Sequence, residues 1–321
     1  MKDAWGRTIE YVRLSLTDAC NFCCPYCRPA EITPQSQTQL LSVDEWMTIL
    51  GAFHHIGVKA VRLTGGEPLL YPHIEELLGR IKESGWFEDI SMTTNGSLLA
   101  SRAQRLKKFG LNRVNISLDS LETEAFATCV GKTGQLESVL DGIRSAINAN
   151  FKSVKINTVL SRYWSDDEVK SLLQYVEKWP VVWRFIEYMP FQGDAFHGPT
   201  FDEWKEQLER VSGGSLTEVH SVYGFGPATY LALPSGKAVG FIFSMSHSYC
   251  DTCNRVRLTS DGQMRLCLLR DDEADLGSLV RKGVSIKDLA NHIERALQRK
   301  QERHDGIGMD QPERPMWRIG G

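Results

Sequence analysis

Six short runs rich in β-branched residues, at 11–17, 60–64, 90–94, 113–118, 153–160 and 182–188, are each followed by a stretch of helical periodicity. That alternation constrains the fold more than any other feature. It demands parallel pairing with right-handed crossovers, hence an α/β chain. Several runs are almost wholly apolar, as parallel strands covered on both faces should be. The helices, expected at 43–55, 74–84, 99–109, 134–149, 166–178 and 201–211, have readable starts. Ser42 with Glu45, Ser165 with Glu168 and Thr200 with Glu203 are capping boxes, in which hydroxyl and carboxylate satisfy opposite backbone amides. Six units fall short of a full eight-unit barrel. The simplest reading is a partial (βα)6 TIM-like barrel; a doubly wound open sheet is the alternative, and periodicity does not separate the two.

The pattern changes near residue 190. Stretches at 190–200 and 213–236 are rich in Gly, Pro and Ser. Beyond them come strand-like runs at 239–243 and 255–259, a turn at Asp261-Gly262, and helical patterns at 274–281 and 286–300. We therefore expect a barrel domain over 1–225 and a C-terminal extension over 226–321. A chain of 321 residues with 42% hydrophobic content buries a large core and is not disordered. With 37 Lys+Arg against 40 Asp+Glu, it lacks the broad basic surface of a nucleic-acid or membrane coat. The N-terminal residues 1–7 carry no apolar run, and no stretch nears the ~20 apolar residues of a membrane span. The expected compartment is the cytoplasm, where thiols stay reduced.

Clustered thiols in such a compartment read as metal ligands. Of eight cysteines, Cys20, Cys23, Cys24 and Cys27 lie together, Cys250, Cys253 and Cys267 lie together, and Cys129 is alone. Cys20, Cys24 and Cys27 form a C-x3-C-x2-C set. Three thiolates can hold three irons of a cubane and leave the fourth open, whereas closed zinc sites need four protein ligands. A zinc site on all four cysteines is the alternative, but the neighbouring Cys23 and Cys24 would diverge along an extended backbone. The second set, C-x2-C-x13-C, reads either as a second open cluster or as a Cys3His zinc site completed by His247. Arg255 and Arg257 share one face of a strand, which taken alone reads first as a solvated face and otherwise as a shared pocket wall. Beside a cluster, two guanidinium forks suit an anion such as a phosphate. Cys23 is left over, and Cys129 is expected to pack as a small hydrophobe.

At this point the chain resembles the radical S-adenosylmethionine (SAM) enzymes. C-x3-C-x2-C after the first strand is their signature, and Thr64-Gly65-Gly66-Glu67-Pro68 matches their Gly-Gly-Glu-Pro segment. The resemblance implies that the open iron chelates SAM, whose reductive cleavage gives a 5′-deoxyadenosyl radical. Further motifs narrow it to the GTP 3′,8-cyclase family, which opens molybdenum cofactor biosynthesis. They are Thr93-Thr94-Asn95-Gly96, the run from Arg113 to Asp119, Lys155-Ile156-Asn157-Thr158, the run from Arg184 to Pro190, the run from Cys250 to Cys267, and the diglycine end.

The resemblance implies conversion of GTP to (8S)-3′,8-cyclo-7,8-dihydroguanosine 5′-triphosphate. It implies SAM and two 4Fe–4S clusters, on Cys20, Cys24 and Cys27 and on Cys250, Cys253 and Cys267, the second meeting guanine. Tyr26, Gly66, Ser117 and Met189 would contact SAM. Arg13, Arg62, Thr93, Lys155, Arg255 and Arg257 would contact GTP. Arg255, Arg257, Gly320 and Gly321 are the candidate catalytic residues, the last two on a tail that threads toward the site. The implied partners are a reductant or electron-donor protein, the next enzyme of the route (cyclic pyranopterin monophosphate synthase) and a second copy in a homodimer. Where the family commonly has a basic residue, this chain has Ala60, which leaves open a paralogue acting on another nucleotide or a peptide.

Overall fold

The computed structural model describes residues 1–27, 40–190, 198–219, 224–304, 314 and 316–320. All six strands form: β1 (Tyr11–Ser15), β2 (Ala60–Thr64), β3 (Asp89–Thr94), β4 (Arg113–Ser117), β5 (Ser153–Val159) and β6 (Val182–Ile186). They lie side by side, parallel and in chain order. A doubly wound sheet reverses its strand order at a switch point. None occurs among β1 to β6, so the partial barrel is the fold.

The connecting helices are α1 (Val43–His55), α2 (Ile74–Ser84), α3 (Ala103–Lys108), α4 (Thr123–Val130), α5 (Leu136–Asn148), α6 (Asp166–Lys178) and α7 (Phe201–Ser212). The three capping boxes form as the sequence predicts. The short α4 was not anticipated: its N-cap is Glu122, whose carboxylate takes the amides of Glu124 and Ala125.

The rest of the chain extends both edges. After β7 (Thr217–Glu218) and β8 (Thr229–Ala232) comes β9 (Ala238–Ile242), which pairs parallel with β6 and carries β8 and β7 antiparallel. On the other edge β10 (Arg255–Leu258) pairs parallel with β1 and turns at Gly262 into β11 (Gln263–Arg265), followed by β12 (Glu273–Asp275). The twelve-stranded sheet is not closed. Two last helices, α8 (Leu276–Arg281) and α9 (Ile286–Leu297), pack on α1.

Side-chain alternation decides where the site lies. Val12, Leu14, Val61, Leu63, Val114, Ile116, Ile156, Trp183 and Phe185 are buried in the apolar core. The intervening positions are polar, among them Arg13, Arg62, Asn115, Asn157 and Arg184. The strands are therefore not apolar on both faces. One face meets the core and the other is a buried polar interior.

Candidate active site

A cavity of about 1570 Å³, its open mouth included, occupies that interior. Cys20, Cys24 and Cys27 line it; Cys23 does not, and instead its amide bonds Val130 O at 2.9 Å. Around Cys20 stand nitrogen donors: Phe22 N at 3.4 Å and Asn95 Nδ2 at 3.9 Å from Sγ. Burial pushes the Cys24 thiol well up, and Cys27, Asp119 and Cys20 add to the effect. Thiols so placed ionise together only around a cation. This donor set fits an iron–sulfur cluster held by three cysteines. Cys23→Ala should leave iron content and SAM cleavage unchanged; loss of either, measured on reconstituted protein, would return Cys23 to the ligand set.

The Gly-Gly-Glu-Pro segment is packed against this loop. Gly66 N donates to Thr17 O at 2.7 Å and Glu67 N to Ala19 O at 2.8 Å. Gly65 has φ +144°, and a Cβ on Gly66 would run into Ala19 O. The sequence suggested glycine for close ligand approach; backbone crowding alone already requires it. Glu67 is wholly buried and accepts from Thr94 Oγ1 (2.8 Å), Asn95 N (2.7 Å) and Leu69 N (3.0 Å). It ties β3 to the loop, and burial raises it to about 7. Tyr26 is fixed similarly. Its hydroxyl donates to Asp119 Oδ2 at 2.8 Å, and Val159 N donates to Asp119 Oδ1 at 2.8 Å. Asp119, raised by burial to about 6, is a site residue that motif matching missed.

Register builds the cationic wall. Arg257, Arg13 and Arg62 are direct neighbours across β10, β1 and β2. Arg255 is level with Tyr11, two residues toward the strand N-termini, and its guanidinium lies 5.9 Å from that ring. Arg62 lies 5.3 Å from the same ring. Lys59, beside Ala60, points outward to Glu10 at 3.1 Å. Arg184, on β6, donates to Asn157 Oδ1 (2.6 Å) and Asn115 Oδ1 (2.9 Å), and Gly240 opposite leaves room for its stem. Sequence reading placed Arg184 within a motif but not in the site. Burial, then Arg257, pulls Arg13 down; burial also lowers Arg257 and brings Arg184 to about 10. Among the described residues, Arg62, Arg184, Arg255 and Arg257 have no carboxylate partner. So dense a positive charge on one cavity wall, three of its arginines buried, calls for an anion.

Arg13, Arg62, Thr93, Arg255, Arg257, Tyr26, Gly66, Ser117 and Met189 all line the cavity. Thr93 Oγ1 is buried with no partner among the described residues. Lys155 is not on the lining: its ammonium is buried, 3.5 Å from the Tyr230 hydroxyl. Gly320 reaches the arginines by its carbonyl, which accepts from Arg257 Nη1 at 2.6 Å and Arg13 Nη2 at 3.1 Å. Buried Trp317 and Ile319 anchor that tail. Gly321 lies outside the described residues.

A second cavity of about 530 Å³ adjoins the first, sharing Met189, Tyr249, Arg255, Arg257 and Leu268. Cys250, Cys253 and Cys267 line it together, and so does His304. His247 does not; it packs on Phe201 at 4.6 Å. Glu187 links the two regions by accepting from Met245 N (2.6 Å) and Ser246 N (3.0 Å) just before Cys250. Cys129 is buried, as a packing residue should be.

This geometry defines a radical SAM protein, and the comparisons agree: the Radical SAM superfamily model matches residues 14–176. Streptococcus suis SuiB, in a crystal structure with S-adenosylmethionine, shares the fold at TM-score 0.66 and 16% identity, over 89% of this chain and 66% of that one. Membership brings SAM and an iron–sulfur cluster as cofactors. Within that class the chain belongs to the GTP 3′,8-cyclase family. It is 38% identical to the GTP 3′,8-cyclases of Pelotomaculum thermopropionicum and Desulforamulus reducens, each over 100% of both chains. The Molybdenum Cofactor Synthesis C model matches residues 181–306. Among the described residues no helix is long and apolar enough to cross a membrane.

Proposed function

We propose that this chain is itself a GTP 3′,8-cyclase, acting in the cytoplasm on GTP to give (8S)-3′,8-cyclo-7,8-dihydroguanosine 5′-triphosphate. The observation that carries the reading is the register line Arg257–Arg13–Arg62 on the cavity wall, with Arg255 and Arg184 on the same cavity. Those guanidinium groups hold the triphosphate by charge-assisted bonds. Thr93 offers its unpartnered hydroxyl to the same ligand. Tyr26 (held by Asp119), Gly66, Ser117 and Met189 line the same cavity and would hold SAM there.

Cys20, Cys24 and Cys27 would hold the first cluster, whose chemistry when bound would be one-electron reduction of SAM. Cys250, Cys253 and Cys267 would hold a second cluster able to take a ligand on its open iron, and Arg255 and Arg257 line both cavities. The Gly320 carbonyl aims Arg13 and Arg257, and Gly321 continues that tail. Residues 1–225 then form the radical-generating domain and 226–321 the extension that completes the substrate pocket. A homodimer, an electron-donor protein and cyclic pyranopterin monophosphate synthase, which would consume the product, complete the proposal.

Binding of GTP, GDP and GMP to the reconstituted chain tests this reading. Affinity should fall at each lost phosphate, by about 1.5–3 kcal/mol per charge-assisted bond. Equal affinities would overturn it.

Lys155 adds a pH signature. Burial, then Arg184, Arg62 and Arg113, brings its ammonium down to about 6. A triphosphate nearby favours the charged form again. Below pH 6 the lysine is already protonated; above it, binding must take up a proton, so GTP affinity falls as pH rises from 6. Calorimetry at pH 7.5 in buffers of different ionisation enthalpy should show that uptake in the native chain and not in Lys155→Met. Heats independent of buffer would remove Lys155 from the triphosphate site.

A further inference from the structure

The segment ahead of β1 carries a buried ion pair that the proposed mechanism leaves unused. Asp3 and Arg7 have side chains 0% and 7% exposed, with Arg7 Nε 2.6 Å from Asp3 Oδ2. Asp3 Oδ1 also takes the amides of Trp5 and Arg7, each at 3.0 Å. Those bonds leave the outer edge of the guanidinium free to face elsewhere. Its terminal nitrogens donate to three main-chain carbonyls from two distant parts of the chain: Nη1 to Cys250 O (2.9 Å) and Glu302 O (2.6 Å), and Nη2 to Gln301 O (2.7 Å). The first belongs to a cysteine of the second cavity. The other two follow α9, on the segment that brings Lys300 and His304 into that cavity's wall. Trp5 Nε1 adds a bond to Lys300 O at 2.9 Å.

We infer that Asp3 and Arg7 are positioning residues for the second thiol cavity, clamping the Cys250 turn to the 300–304 segment. The inference rests on the reading that a second cluster is held there. Only an arginine fork can serve three carbonyls and a carboxylate at once. A second link between the same two segments, Arg303 with Asp251 at 2.9 Å, is solvent-exposed and so contributes little. Residues that hold metal ligands in place typically matter about 10–100-fold, and here the effect should fall on one cluster alone.

The test uses the full chain, reconstituted anaerobically. Arg7→Lys keeps the charge beside Asp3 but offers a point donor in place of the fork. It should retain its circular dichroism and the electron paramagnetic resonance signal of the first cluster. The second cluster's signal, recorded with Cys20, Cys24 and Cys27 all changed to alanine, should shift and broaden. With those cysteines intact, KM for GTP should rise about tenfold or more while KM for SAM holds. A double variant, Asp3→Asn with Arg7→Met, replaces the buried pair by a neutral one and should shift the same signal. An unshifted second-cluster signal in these variants would overturn the inference, as would equal loss of both clusters. Iron analysis of the triple-alanine protein with Arg7 intact tests the underlying reading separately. Without iron there both readings fall; with iron but no shift, only the role of Asp3 and Arg7 does.

Discussion

Gly66→Ala should cost the chain its first cluster while leaving the sheet folded. A Cβ at that position meets the Ala19 carbonyl head-on and would sit 2.7 Å from Ala19 C and 2.8 Å from Asp18 O. All are backbone atoms of the loop that leads into Cys20, so no side-chain rotation relieves the clash. The loop must lift, breaking Glu67 N to Ala19 O and Gly66 N to Thr17 O. A displacement of about 1 Å in a catalytic group can cost about 10²-fold, and three ligands that must meet one cluster tolerate less. Iron and sulfide should fall to about half of the two-cluster value, with 5′-deoxyadenosine production down by about 10²-fold or more. Full iron content with normal SAM cleavage would show that the loop can move without consequence.

Gly320→Ala should separate the clusters from the chemistry. Gly320 has φ +70°, and an added Cβ would strike Thr64 Oγ1 and approach Ser15 Cβ at 3.4 Å. The left-handed backbone adds about 1–2 kcal/mol against any L side chain. The tail must withdraw, taking its carbonyl from Arg257 and Arg13. Each charge-assisted bond lost amounts to about 1.5–3 kcal/mol, so the 3′,8-linked product should drop by about 10²-fold or more. Both clusters and SAM affinity should be those of the unaltered chain, because the bonds lost are those of the Gly320 carbonyl to Arg257 and Arg13. Undiminished product would remove the tail from the mechanism.

Much of the fold is legible in the sequence. The alternation of strands and helices and the three capping boxes place β1 to β6 and most outer helices to within a few residues. Barrel and doubly wound sheet share that pattern, and only strand order separates them. Helix α4 escaped because eight residues between Glu122 and Gly131 hold barely two turns. The cysteine spacing announced two incomplete ligand sets, and the structure gathers each set on its own cavity. The tertiary partners were invisible. Asp119 under Tyr26, Arg184 opposite Gly240 and Arg7 on the Cys250 carbonyl join residues far apart in the chain. One signal could have exposed Arg184: polar residues at alternate positions of otherwise apolar strands, here Asn115, Asn157 and Arg184, mark a polar barrel interior. His247, the nearest histidine in sequence to the second cysteine set, proved a poor guide, since His304, on the segment after α9, lines that cavity instead.

Under the proposed function, one pocket joins SAM cleavage to the ribose of GTP. The most direct measurement incubates the anaerobically reconstituted chain with SAM, a reductant and GTP deuterated at C3′. The expected result is deuterium in the 5′-deoxyadenosine together with a 3′,8-linked nucleotide. Deoxyadenosine free of deuterium, or formed only with a different nucleotide, would rule out GTP as the hydrogen donor.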